Sequence, residues 1–122
     1  MQAIVDGQDE HYSVVKVIAD VPCRGIERAR AAGIATEVVE MGADRAEWNQ
    51  RLVAAVDAAQ PDVVVSAGFM KILGKDFLDR FEGRTINTHP ALLPAFKGAH
   101  AVRDALDSVS YTHLTLPTKR IV

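Results

Sequence analysis

Apolar runs and segments of helical periodicity alternate along the chain. Four short runs rich in apolar and β-branched residues predict strands at 12–20, 35–40, 62–68 and 84–89. The run "DVVVSAG" at 62–68 is continuous, a pattern suited to a strand that is buried on both faces.

Helices are predicted between and after these strands. The segment "CRGIERARAAGI" ends at Gly33, a candidate for the left-handed residue just past a helix. A D-x-x-E pattern at Asp44, similar to a capping box, starts a helix that runs to about Gln60. Two shorter helices are predicted at 75–83 and 98–106. One face of the long helix carries Trp48, Leu52, Val56 and Ala59.

This order of elements predicts an α/β fold. Strands that alternate with helices indicate βαβ units, and therefore a Rossmann-like, mostly parallel sheet with helices on both faces. Ligands of such sheets gather at the carboxyl ends of the strands, where the loops converge. The segments "SAGFM" and "INTHP" each end a predicted strand, so both loops should open on the same edge.

Composition narrows the class of protein. The chain has 122 residues, 48% of them hydrophobic and 25% charged, with a net charge of −2 and interspersed signs. This balance predicts neither a nucleic-acid partner nor a membrane partner. Cys23 is the single cysteine, which excludes an internal disulfide and fits a reducing compartment. No apolar run approaches the roughly 18 residues of a membrane span, and no signal peptide is recognised, so a cytoplasmic location is predicted.

The candidate chemistry lies in "NTHP" at 87–90. If the strand continues far enough, Asn87 and His89 share one face of it. An amide donor and a titratable imidazole at one point suit a reaction that passes through a tetrahedral oxyanion. The alternative is structural, because Asn and His before a proline also terminate a strand and satisfy a turn.

A longer string of residues favours the catalytic interpretation. "SAGFMKIL", followed about a dozen residues later by "INTHPALLPAFKGAHAVRDAL", resembles the glycinamide ribonucleotide formyltransferase family of purine biosynthesis. The resemblance extends back through "DRAEWNQRL" and "GIERARAAGI", and so covers most of residues 1–106. It implies the formyltransferase fold.

The resemblance implies transfer of a formyl group from 10-formyltetrahydrofolate to the primary amine of glycinamide ribonucleotide. Asn87 would hydrogen-bond the oxyanion and contact the folate, and His89 would donate a proton. Pro90 aligns with a position that contacts the ribonucleotide, although terminating the strand is sufficient reason for a proline there. The family needs no metal, and no His, Cys and carboxylate cluster in the chain has the spacing of metal ligands.

The folate site implied by the resemblance involves two segments. Met70, Lys71, Ile72 and Leu73 would line the pteridine with backbone and apolar contacts, while Arg45 aligns with an arginine that contacts folate. Lys71 occupies a place where arginine is common, so bidentate hydrogen bonding would be lost there. Without the resemblance, residues 70–73 would be a turn whose apolar side chains enter the core, and Arg45 a solvated surface residue.

The chain departs from the family pattern at both ends. The family begins with a strand and a glycine-rich loop that binds the ribonucleotide phosphate, whereas "MQAIVDG" is similar to the first helix entered partway. A downstream D-x-G segment, whose aspartate would raise the pKa of the catalytic histidine, is also missing, since no acidic residue follows Asp107. The tail "VSYTHLTLPT" resembles a translated sequencing adaptor.

These departures predict a partial formyltransferase domain at 1–106 and a non-native tail at 107–122. They also predict that the isolated chain is poorly soluble or partly unfolded and inactive. Two other functions remain open: a formyltetrahydrofolate deformylase on the same scaffold, and a non-catalytic α/β fragment. Pro90 counts against the deformylase, because those enzymes tend to carry a second histidine there.

Overall fold

A computed structural model describes residues 1–69, 71–88, 93–95, 97–98 and 100–108. The chain divides into two units, Met1–Ile86 and Asn87–Val122. Five helices and four strands are present among the described residues. They are α1 (Gln2–Asp6), β1 (Lys16–Ala19), α2 (Arg24–Ala31), β2 (Ala35–Val38), α3 (Arg45–Asp57), β3 (Val64–Ser66), α4 (Lys75–Phe81), β4 (Thr85–Asn87) and α5 (Ala101–Asp107).

The strands form two pairs, and in each pair a helix connects the first strand to the second. β1 and β2 are parallel, with Lys16 opposite Ala35 and Ala19 opposite Val38, and α2 connects them. β3 and β4 are paired in a second two-stranded sheet, connected through α4. The predicted α/β class is therefore confirmed, with the strands of the described residues arranged as two separate pairs.

The core of the first unit lies where α3 and α4 pack together. Trp48 and Phe81 are fully buried, and the Phe77 and Phe81 rings lie 4.8 Å apart. The predicted apolar face of α3 is confirmed for three of its four residues, since Trp48, Leu52 and Val56 are buried. Ala59 is half-buried and lies beyond the helix, which ends at Asp57.

The early end of α3 has a local cause. The N–H groups of Ala59 and Gln60 donate to carbonyls only three residues back, so the last turn is tightened. Gln60 has φ 48°, in the left-handed region. Pro61 follows, and the residue before a proline is disfavoured in the helical conformation. The helix thus ends earlier than the predicted residue 60.

The prediction that the run at 62–68 is buried on both faces is wrong for Val63 and Val65. Val64 packs against the core of α3 and α4. Val65 points to the other face of β3 and is 43% exposed. Helices α3 and α4 cover only one face of this strand. The sequence pattern records an apolar run on both faces, but it cannot show whether each face has a packing partner.

The helix termini follow the predicted signals. Gly33 has φ 76°; its N–H donates to the Arg30 carbonyl, and the Ile34 N–H donates to the Ala29 carbonyl. This pair of bonds is the Schellman arrangement at the end of α2. Asp44 caps α3, because its Oδ1 accepts from the N–H groups of Ala46 and Glu47 at 2.9 and 3.3 Å.

Replacing Asp44 by alanine is expected to lower the free energy of unfolding by about 1 kcal/mol, because two N–H groups of the first turn lose their acceptor. Urea unfolding followed by far-UV circular dichroism measures this change. Asp44→Asn is the control, since asparagine caps as well as aspartate and should change stability by less than about 0.5 kcal/mol. Equal losses in both variants would show that the charge of Asp44 at the N-terminus of α3, and not its hydrogen bonds, stabilises the helix.

Candidate functional site

The loop between β3 and α4 is anchored near its start, at its third residue, by an aromatic stack. Phe69 lies parallel to the indole of Trp48, with ring centroids 6.1 Å apart and an interplanar angle of 7°. Trp48 is itself fixed, because its buried Nε1 donates to the Val39 carbonyl at 2.8 Å. The start of the loop therefore rests on a rigid part of the core.

The other end of the loop is held by α3. Leu73 is half-buried and packs on the core, and the Gly74 N–H donates to Asn49 Oδ1 at 2.8 Å. Gly74 is also the N-cap residue of α4, and its carbonyl accepts from the Leu78 N–H at 3.1 Å. The loop is thus fixed at Phe69, near its start, and at Gly74, where it enters α4.

Arg45 contacts the middle of the loop. Its Nη2 donates to the Ile72 carbonyl at 3.3 Å, although the two residues are 27 positions apart in the chain. The Ile72 side chain is 74% exposed, and Lys71 is exposed beside it. Of the predicted folate residues, the structure brings Arg45 and Ile72 into contact and places Lys71 and Leu73 on either side; Met70 lies outside the described residues.

An exposed isoleucine on a loop that is also bound by a guanidinium group suits the binding of a flat, polar heterocycle. The apolar side chain offers a surface to a flat heterocycle, and exposed backbone in the loop can donate and accept hydrogen bonds. A guanidinium has five N–H donors, so the bond to Ile72 leaves others that could meet a carboxylate or a carbonyl. The alternative that the apolar side chains of residues 70–73 enter the core is wrong for Ile72.

Asn87 is the last residue of β4, and its side chain is exposed. His89 and Pro90 lie outside the described residues. The argument for a shared face required the strand to continue to His89, whereas β4 ends at Asn87. The pairing of the two side chains, and the roles of all three residues, stay predictions.

The charge at the start of α4 is already partnered. Lys75 Nζ donates to Asp79 Oδ2 one turn later, and this bond and the negative charge raise the pKa of the Lys75 ammonium. Both side chains are exposed, so the pair stabilises the surface of the helix.

In the described part of the chain, no group of three or more histidine, cysteine or carboxylate side chains could hold a metal. No helix in that part is long and apolar enough to cross a membrane.

Asn49 was missed by sequence reasoning. It is buried, and it is bonded both to the loop and to the carbonyl of Arg45. A signal was available, because Asn49 lies four residues after Arg45 and next to Trp48, where a helix interior does not favour asparagine. Two surface depressions of the described chain, one against β2 and α3 and the other against α2 and β2, include none of these residues.

The chain is similar to known proteins in sequence and in fold. A family model described as formyl transferase matches residues 1–113. The phosphoribosylglycinamide formyltransferase of Mycobacterium tuberculosis is 53% identical over 95 residues, which cover 76% of this chain and 44% of that protein. The chain therefore spans less than half the length of this relative.

Solved structures agree. Glycinamide ribonucleotide transformylase 1 from Geobacillus kaustophilus has a TM-score of 0.81 at 31% identity, over 88% of this chain and 60% of that one. A formyltetrahydrofolate deformylase from Pseudomonas putida KT2440 is less similar, with a TM-score of 0.65 at 25% identity, over 79% of this chain and 34% of that one. Since the family model matches nearly the whole sequence, the chain belongs to the formyl transferase family.

Proposed function

We propose that the protein transfers a formyl group from 10-formyltetrahydrofolate to the amine of glycinamide ribonucleotide, a step of purine biosynthesis. Membership of the formyl transferase family supports the reaction class, and the similarity to a phosphoribosylglycinamide formyltransferase supports the acceptor. Both substrates are small molecules. The proposal needs no metal, nucleic acid or membrane, and it assigns the protein to the cytoplasm, where the free thiol of Cys23 would stay reduced.

The observation that carries the proposal is the contact between Arg45 and Ile72. Sequence resemblance pointed to Arg45 and to residues 70–73 separately as folate-binding. The fold joins Arg45 to this loop, beside an isoleucine that is 74% exposed. A surface loop that is anchored at both ends and still exposes a large apolar side chain is well suited to bind a planar ring without further ordering.

The chemistry proposed for the site is acyl transfer through a tetrahedral intermediate. The amine nitrogen of the ribonucleotide attacks the formyl carbon, and a new C–N bond forms as the carbonyl oxygen takes negative charge. Asn87 would donate a hydrogen bond to that oxygen, and His89 would stabilise it and supply a proton. The bond from the carbon to N10 of the folate then breaks. The attacking nitrogen loses one proton and N10 gains one, which releases tetrahydrofolate and leaves the formamide product.

The decisive experiment uses the protein that the complete gene encodes. Isothermal titration calorimetry with 10-formyltetrahydrofolate is expected to show saturable binding at one site. Mass spectrometry with glycinamide ribonucleotide present should detect its formylated product. If folate binds but formate appears at the same rate with or without the ribonucleotide, the protein is a deformylase, like the less similar Pseudomonas putida protein. Absence of folate binding would contradict both functions.

A further inference from the structure

We infer that Asn49 is a positioning residue, which sets the geometry of the predicted folate loop (Lys71–Leu73) through a hydrogen-bonded bridge from α3. The inference rests on the function proposed above. Asn49 touches neither substrate in that proposal. Its role would be to hold the backbone of the loop at one distance from Arg45, so that the folate meets a preformed surface.

Three hydrogen bonds close a ring around this loop. Asn49 Nδ2 donates to the Arg45 carbonyl at 3.0 Å, and Asn49 Oδ1 accepts from the Gly74 N–H at 2.8 Å. Arg45 Nη2 completes the ring by donating to the Ile72 carbonyl at 3.3 Å. The side-chain amide thus joins the turn that carries Arg45 to the end of the loop that carries Ile72.

Burial of the Asn49 side chain favours one geometry of this bridge. Asn49 is only 8% exposed, the one polar residue among the buried side chains of the described chain. A buried amide that loses a partner leaves an unsatisfied polar group, which favours the bonded geometry over alternatives. An amide is also needed chemically, since the bridge uses one N–H donor and one carbonyl acceptor on the same side chain.

The Asn49 side chain lies so close to Gly74 that it leaves no room for a side chain at residue 74. A Cβ built on Gly74 would lie 2.7 Å from Asn49 Cγ and Nδ2 and 2.9 Å from Oδ1, far inside van der Waals contact. The backbone of Gly74, with φ −75° and ψ 169°, is open to any residue, so the requirement for glycine comes from the missing side chain alone. The loop can approach α3 this closely only because residue 74 has no Cβ.

A purely structural role predicts a different result from a positioning role. If Asn49 only docks α4 on α3, its removal lowers stability and leaves the affinity of folded protein for folate unchanged. If it positions the loop, its removal also weakens folate binding at temperatures where the variant is fully folded. Folate affinity, compared with the KM of the ribonucleotide, separates the two roles.

The test measures the Kd of 10-formyltetrahydrofolate by calorimetry and the steady-state constants in the protein from the complete gene. Asn49→Ala removes both hydrogen bonds that Asn49 makes in the bridge. It is expected to raise the folate Kd by at least about tenfold, the effect of losing one buried hydrogen bond alone, with the ribonucleotide KM within about twofold. Asn49→Asp keeps only the acceptor for Gly74 and loses the donor to the Arg45 carbonyl, so it should recover part of the affinity at most. Gln50→Ala, an exposed amide on the same helix, is the matched control and should bind folate normally.

Gly74→Ala tests the bridge without deleting it. Its methyl group would displace the Asn49 amide, so the folate Kd should rise in the same direction even if Asn49→Ala does not fold. Unchanged folate affinity in either variant, when folded, overturns the inference and leaves the proposed function intact. Failure of the unsubstituted protein to bind folate overturns the proposed function, and the inference with it.

Discussion

Replacing Asn87 by alanine is expected to lower kcat for formyl transfer by a factor of roughly 10²–10³, the usual effect of removing one donor to an oxyanion. The proposed bond to the oxyanion forms fully only in the transition state, so the main loss should fall on kcat, with a smaller rise in the KM for folate from the lost folate contact of Asn87. Pre-steady-state and steady-state assays of the protein from the complete gene give both constants. The exposed position of Asn87 at the end of β4 makes a folding defect an unconvincing explanation for such a loss.

Ile86→Val is the matched control for this experiment. Ile86 lies on the same short strand and is 56% exposed, and valine keeps its β-branched shape. Its kcat should stay within about threefold of the unsubstituted enzyme, because surface substitutions of this kind have small effects. A kcat for Asn87→Ala inside that same range would refute the role given to the amide.

His89→Ala should be measured beside it, with an expected loss of roughly 10²–10⁴ in kcat if the imidazole moves the proton. The two groups are proposed to act on one oxyanion. The double variant should therefore lose less than the product of the two single effects, since residues that act as a unit are not additive. Independent, multiplicative losses would place the two side chains at separate steps.

Local sequence signals were sufficient for the order of elements. Gly33 and Asp44 act through bonds to residues within a few positions, so a pattern over one turn contains the whole interaction. Strand limits were less predictable. Only four residues of the apolar run at 12–20 form β1, because β2 offers four partners in register. Earlier in that run, the Val14 N–H donates to the Gln8 side chain instead of to a neighbouring strand.

The candidate site was predictable in part. Motif resemblance pointed to Arg45 and to residues 70–73, but no periodicity could show that Arg45 would reach a carbonyl 27 positions later. Asn49 was missed for the same reason. Its acceptor role depends on Gly74, 25 positions away, and on the packing of α3 against α4. Contacts between elements require the fold, whereas caps and turns do not.

Trp48→Ala is expected to lower the free energy of unfolding by about 3–5 kcal/mol, the typical cost of removing a large buried ring. Trp48 is fully buried at the centre of the core, where Phe69 stacks on it and the Val39 carbonyl accepts from its Nε1. Because the substitution removes the indole that would report on this core by fluorescence, the measurement is urea unfolding followed by far-UV circular dichroism. Leu78→Ala is the control: Leu78 is 51% exposed on α4, so its loss should cost well under the Trp48 value.

Trp48→Phe separates the contribution of the ring from that of its N–H. Phenylalanine keeps an aromatic surface for Phe69 but leaves the buried Val39 carbonyl without the donor at 2.8 Å, which should cost about 1–3 kcal/mol. Total stabilities are about 5–15 kcal/mol, so the alanine variant is expected to approach the limit of folding while the phenylalanine variant stays folded. If Trp48→Phe is as stable as the unsubstituted protein, the indole N–H contributes nothing. A small loss for Trp48→Ala would mean that the core does not depend on this ring, and that Phe69 needs another support to hold the start of the folate loop.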